Sequence, residues 1–154
     1  MNTAARAIIA ALALEPLPRE GGYFRATWRS ATASAIYFLV TPEDFSALHR
    51  IAQDEIWHHY AGDAVEHVQL DPRDGSVRTI RLGPDVLSGE EPQLVVTANV
   101  WQGAKLAAGP RAGYALLGCT VSPPWDERGF ALADPMELRS AFPGQHAAIG
   151  ALTR

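Results

Sequence analysis

The chain has 154 residues, 47% hydrophobic and 19% charged, enough to bury a substantial core, and one domain over residues 1–154 is expected. The net charge of -4 arises without a long acidic run, and the 13 Lys and Arg are scattered, so no nucleic-acid patch is expected. The longest early apolar run, Ala7 to Leu14, is too short to span a bilayer and leads straight into Glu15-Pro16, which speaks against a membrane span or a signal peptide.

The Ala/Leu/Ile-rich stretch Ala4 to Leu14 predicts one short helix, stopped by Pro16 and Pro18. Gly21-Gly22 follows as a turn needing unusual backbone angles, and Glu20 beside it reads as a surface residue. β-branched and aromatic residues then predict strands at Tyr23–Trp28, Ser34–Val40, Glu55–Tyr60, Val65–Leu70, Val77–Leu82 and Gln93–Thr97. Val100–Leu106, Tyr114–Val121 and Phe130–Leu132 extend the series. Turn signals at Ala61-Gly-Asp63, Asp71 to Gly75, Leu82-Gly-Pro84, Ser88-Gly-Glu90 and Ala108-Gly-Pro110 divide them. Pro135 to Phe142 predicts a short helical turn. Short strands at near-regular spacing make the fold class all-β, an antiparallel sandwich or barrel. Cys119 is the only cysteine, so no internal disulfide forms; this fits the reducing cytoplasm, where the protein is expected.

The densest chemistry lies between Phe45 and Asp63, where His49, Glu55, His58 and His59 fall within eleven residues. A metal site, an acid/base site and a polar ligand pocket are all compatible with such a group. Strand alternation puts Glu55, Trp57 and His59 on one face and Ile56, His58 and Tyr60 on the other. Adjacent His58 and His59 therefore cannot share an ion. His58 and His67 read as structural, and His49 and His59 as pocket residues. Of Trp101 and Gln102, one must face inward and the other outward. Trp57, Trp101, Tyr23, Tyr37 and Phe38 are candidate pocket walls, and Arg25 a candidate ligand contact. Cys119 reads as a buried, inert thiol.

Several stretches resemble one known family. They are Glu20 to Arg25, Ser34 to Leu39, Phe45 to Arg50, Asp54 to Gly62, Val100 to Ala104, Gly113 to Val121 and the closing Leu152-Thr-Arg154. Together they resemble the small single-domain cupins of the domain-of-unknown-function 985 group, also called cupin type 5. The resemblance implies a cupin jelly-roll barrel, similar in shape to the sugar-nucleotide epimerases of the deoxyhexose pathway and to auxin-binding and seed-storage cupins. In the general cupin pattern His49 matches the first ligand histidine, Glu55 the glutamate and Gly62 the glycine. The second histidine falls on Ile51, which cannot ligate. The second motif's proline, glycine and histidine fall on Thr97, Asn99 and Gln102. Two of the four usual donors survive, with Gln102 as a neutral third.

Three functions follow as expectations. The first is a cupin without a required metal that binds a small polar, sugar-like metabolite and acts as an isomerase or epimerase. His49 or His59 would be the base and Tyr37 the opposite proton donor, with Glu55, Trp57, Trp101, Gln102, Tyr23 and Arg25 holding the ligand. The second is a metal-dependent enzyme with one divalent ion on His49, Glu55 and Gln102. The third is a non-catalytic binding or sensor module. His59 is expected about one strand step deeper than Glu55, roughly 7 Å along the strand. A homodimer is expected, since cupins commonly pair and the charge fraction is low.

Overall fold

The computed structural model describes residues 1–154. Helix α1, Thr3–Ala11, opens the chain, and Asn2 caps it by accepting the Ala5 N–H at 2.9 Å. It ends three residues short of the predicted Leu14, because Ala13 takes a left-handed turn with φ 51°.

Eleven strands follow. They are β1 (Glu15–Pro16), β2 (Tyr23–Arg29), β3 (Ser34–Val40), β4 (Ser46–Arg50), β5 (Asp54–Gly62) and β6 (Val65–Leu70). After them come β7 (Val77–Leu82), β8 (Gln93–Val96), β9 (Trp101–Leu106), β10 (Ala115–Ser122) and β11 (Ala131–Leu132). One sheet runs β1-β2-β3-β10-β5-β8, the other β11-β4-β9-β6-β7, and every named strand pair is antiparallel. Chain neighbours such as β3 and β4 lie in different sheets, so the chain passes repeatedly from one layer to the other. This is the Greek-key behaviour of a jelly roll.

The inner faces meet in a core that includes Phe38, Trp57, Val65, Leu82, Leu94 and Leu117. The five-stranded sheet is covered on its outer face as well. There Leu48, Val68 and Leu70 pack on Leu138 of α2 (Pro135–Ala141), on Phe142 just after it, and on Ile149 and Leu152 around α3 (His146–Ala151). Strand β6 is therefore buried on both sides, and its inward and outward apolar residues serve two different clusters. Along β7 the buried residues are Ile80 and Leu82, which gives an inside face to a strand whose sequence does not alternate cleanly.

The single helical turn at Pro135 becomes α2, with Asp134 accepting the Met136 and Glu137 N–H groups, and a second helix, α3, follows it. Strand β4 was not expected. Ser-Ala-Leu-His-Arg lacks β-branched residues, and burial of four of its five positions hides the period-two pattern.

Candidate functional site

The site begins with an irregularity in β4. Ser46 pairs with Ala104 and His49 with Gln102, so three steps on β4 match two on β9. A regular strand would point Ser46 and His49 to opposite faces, whereas the bulge turns both toward one carboxylate. The Ser46 hydroxyl donates to Glu20 Oε1 at 2.7 Å, and His49 Nε2 lies 3.8 Å from Glu20 Oε2. Gly103 lets the bulge approach β9, since a Cβ there would sit 3.2 Å from both the Leu48 backbone and the Ser46 carbonyl. Glu20 itself is aimed by the Gly21-Gly22 turn, whose φ angles of 96° and 73° favour glycine. Its carbonyl accepts the Ala47 N–H at 2.8 Å, which ties the turn to β4.

His49 is 3% exposed, and its Nδ1–H donates to the Ala47 carbonyl at 2.7 Å. A carbonyl can only accept, so the neutral ring carries its proton on Nδ1 and presents an unprotonated Nε2. The ring also stacks on Phe130, centroids 5.6 Å apart.

Glu55 reaches the same place from β5 through Gln102. The Trp57 indole N–H donates to Gln102 Oε1 at 2.8 Å, and Gln102 Nε2 donates to Glu55 Oε2 at 2.6 Å. Indole nitrogen is only a donor, so it fixes which end of the amide faces Glu55. Burial pushes the Glu55 carboxyl above its ordinary value; His49 opposes the shift and the Glu20 carboxylate adds to it. Burial also drives the Cys119 thiol well up, and the charges of Glu55 and Glu20 reinforce it, as suits an unreactive cysteine.

These groups close one end of a cavity of about 490 Å³. Its walls are mostly apolar, with Phe24, Ile36, Phe38, Ile51, Val121 and Phe130 prominent. Trp28 and Trp125 stand at the mouth, 64% and 39% exposed. Arg19 lies there too, paired with Glu127 at 3.2 Å and resting 4.7 Å above the Phe130 ring. Arg29 donates to the Trp125 carbonyl at 2.8 Å.

Of the expected site residues, His49 and Glu55 border this cavity, and Gln102 stands directly behind Glu55. Trp57 has the inward orientation alternation requires, but it is 1% exposed and lies in the core, edge-on to Phe38. His59 must be corrected. It is four residues beyond Glu55, about 13 Å along a strand rather than 7 Å, and its Nε2–H donates to the Asp63 carbonyl at 3.0 Å. It therefore belongs to the far turn and not to the His49 group. Tyr37, Tyr23 and Arg25 are corrected as well. Phe24 and Ala26 on β2 and Ile36 and Phe38 on β3 border the cavity, so the intervening residues face the other side of the sheet. There Tyr37 packs on Tyr60, 6.3 Å between centroids, under the Arg25 guanidinium at 5.3 Å. Trp101 points outward, carrying Arg50 over its ring at 4.8 Å and packing against the helix-covered cluster. Glu20, read as a surface residue, and Phe130 are the site residues the sequence reading missed. The Gly-Gly pair after Glu20 was the available signal, because it reverses the chain and turns that side chain inward.

Two facing antiparallel sheets enclosing a cavity with one polar end define a cupin-type barrel, the double-stranded β-helix. The sequence model of the Cupin superfamily (DUF985) family matches residues 6–133, and the chain belongs to that family. A hypothetical protein from Leishmania major is 34% identical, with 99% of each chain covered and a TM-score of 0.90. A protein from Shewanella oneidensis is 32% identical over 100% of this chain and 99% of its own, with a TM-score of 0.89. Oxalate decarboxylase from Bacillus subtilis, 12% identical with a TM-score of 0.60, matches 90% of this chain and 37% of its own; this likeness concerns the fold alone. No curated protein sequence matches the chain.

Many cupins hold a metal ion, and the residues here do not fit that donor set. Ile51 replaces one histidine with a buried hydrocarbon. At the last histidine position, Gln102 commits its oxygen to Trp57 and an N–H to Glu55. No group of three or more His, Cys, Asp or Glu side chains is arranged to hold an ion.

Proposed function

We propose that this cupin binds a small organic metabolite in its barrel cavity, without a required metal, and that His49 is its proton-transfer group. The observation that carries the reading is the His49 ring. It is buried at the end of an apolar cavity with its Nδ1 proton spent on a backbone carbonyl and its Nε2 unbonded beside Glu20. A base so oriented, with a carboxylate able to stabilise the imidazolium, suits isomerase-type proton abstraction. The two-sided epimerase scheme loses its second group, since Tyr37 lies on the opposite face of the sheet. A single base that removes and returns the proton on one side of the substrate takes its place. The mostly apolar wall also favours a ligand with a hydrocarbon body over a sugar.

The test is a thermal-shift screen of small metabolites against the natural protein and Ile36→Trp, which fills the cavity. Stabilising ligands should lose their effect in the variant. Elemental analysis of protein purified without chelator or nickel resin accompanies it. Near-stoichiometric iron, manganese, nickel or zinc that disappears in His49→Ala would overturn the metal-independent reading.

A further inference from the structure

Resting on the reading of the barrel cavity as a ligand site, we propose that its ligand is an organic amine. Its ammonium group sits among His49, Glu20 and Glu55, and its apolar body lies against the aromatic walls. The argument is a count of donors and acceptors at the buried end. In the tautomer whose Nδ1–H goes to Ala47, His49 offers Nε2 as a bare lone pair. Glu20 spends Oε1 on the Ser46 hydroxyl and keeps Oε2 free. Glu55 spends Oε2 on Gln102 at 2.6 Å, which leaves Oε1 as its remaining acceptor. Glu55 is 7% exposed and His49 3%, so two of these acceptors sit on side chains more than nine-tenths buried, both bordering the cavity.

With His49 neutral and Glu55 ionised, the form a bound cation favours, the three groups bordering this end of the cavity offer acceptors and no donor. A primary ammonium brings three N–H groups and the opposite charge. A carboxylate or phosphate would face two carboxylates with nothing to pair it. No lysine borders the cavity, and its two arginines are already engaged: Arg19 with Glu127 at 3.2 Å, Arg29 with the Trp125 carbonyl at 2.8 Å.

Three probes of one shape and different charge make the test: phenethylammonium, phenethyl alcohol and phenylacetate, titrated calorimetrically into the full chain at neutral pH. The expected order is ammonium first, by roughly tenfold or more over the alcohol, with phenylacetate weakest. In Glu20→Gln the ammonium-over-alcohol ratio should fall toward one. Glu55→Gln should do the same, and the Glu20 variant carries the test if the buried Glu55 change does not fold. Phenylacetate binding as tightly as the ammonium, or a preference that survives both substitutions, would overturn the amine assignment and leave the cavity reading standing. Manganese or zinc ions that bind stoichiometrically and displace the ammonium probe would overturn it in favour of a metal. If none of the three probes binds, the cavity reading itself falls and takes this inference with it.

Discussion

His67 is expected to make folding stability sensitive to mild acid. It lies on β6 facing into the barrel, fully buried, with its ring edge-on to Trp57 at 4.8 Å between centroids. Neither ring nitrogen has a hydrogen-bond partner. Burial lowers its pKa from 6.5 to about 3, overcoming the Gln102 amide, which pulls the other way. Above pH 6.5 the residue is neutral in both folded and unfolded chains and contributes no pH dependence. Below it the unfolded chain takes up a proton that the folded chain refuses until about pH 3, so stability falls with pH across that window. Between pH 7 and pH 5 the loss from this one site is about 1.9 kcal/mol, using ~1.36 kcal/mol per pH unit below the unfolded pKa. That is a large share of a typical domain stability of roughly 5–15 kcal/mol. The perturbation is His67→Leu, and the assay is urea unfolding followed by tryptophan fluorescence at both pH values. Relative to the natural protein, the variant should gain about 2 kcal/mol on moving from pH 7 to pH 5, whatever its stability at pH 7. Glu55 contributes with the opposite sign: its folded pKa is raised, so the cost of burying its charge is relieved as pH falls. It is common to both proteins and cancels in the comparison. Identical pH dependence in the two proteins would refute the reasoning.

Other consequences can be measured directly. Gln102→Leu strands the Trp57 N–H and removes the donor to Glu55, so it should cost about 2–6 kcal/mol in denaturant unfolding at pH 7, from ~1–3 kcal/mol for each of the two orphaned groups. Asp63 accepts the N–H groups of Arg111, Ala112 and Gly113 at 2.7–3.0 Å. Asp63→Ala should therefore cost about 1–3 kcal/mol and speed proteolytic cleavage of that loop; an unchanged cleavage rate would contradict the assignment. Cys119 should react with an alkylating reagent more than about tenfold slower in the native protein than in urea, because its thiol is buried and pushed well up. We also propose that the chain associates as a homodimer that hides a sheet edge, and a monomeric mass by light scattering at micromolar concentration would refute this.

Much of the barrel was legible because its strands carry local signals. Ser34–Val40, Val65–Leu70 and Val77–Leu82 have the bounds their β-branched and aromatic runs predict. Alternation also put Glu55 and Trp57 inward on β5 and opposed Gln102 to Trp101, since side-chain parity is a property of the strand itself. It could not distinguish depth from direction. His59 has the parity of Glu55, yet it lies four residues further along β5 and bonds to the turn beyond the strand. Tyr37 has the chemistry of a proton donor, yet it has the parity of the outer face.

Sequence by itself determined the all-β class, the motif alignment on His49, Glu55 and Gln102, and the missing histidine at Ile51. The class depends on residue type and short-range spacing, and the alignment on the resemblance to the cupin family. Only the tertiary structure decided which groups meet. Glu20 is 29 residues from His49 along the chain, and a glycine turn and a bulge between β4 and β9 bring their side chains to 3.8 Å. Gln102 is joined to Glu55 and Trp57 across the two sheets because packing them face to face leaves those buried polar groups no other partners. The polar end of the cavity is thus a product of closure, which adds Glu20 and Gln102 to the locally clustered His49 and Glu55.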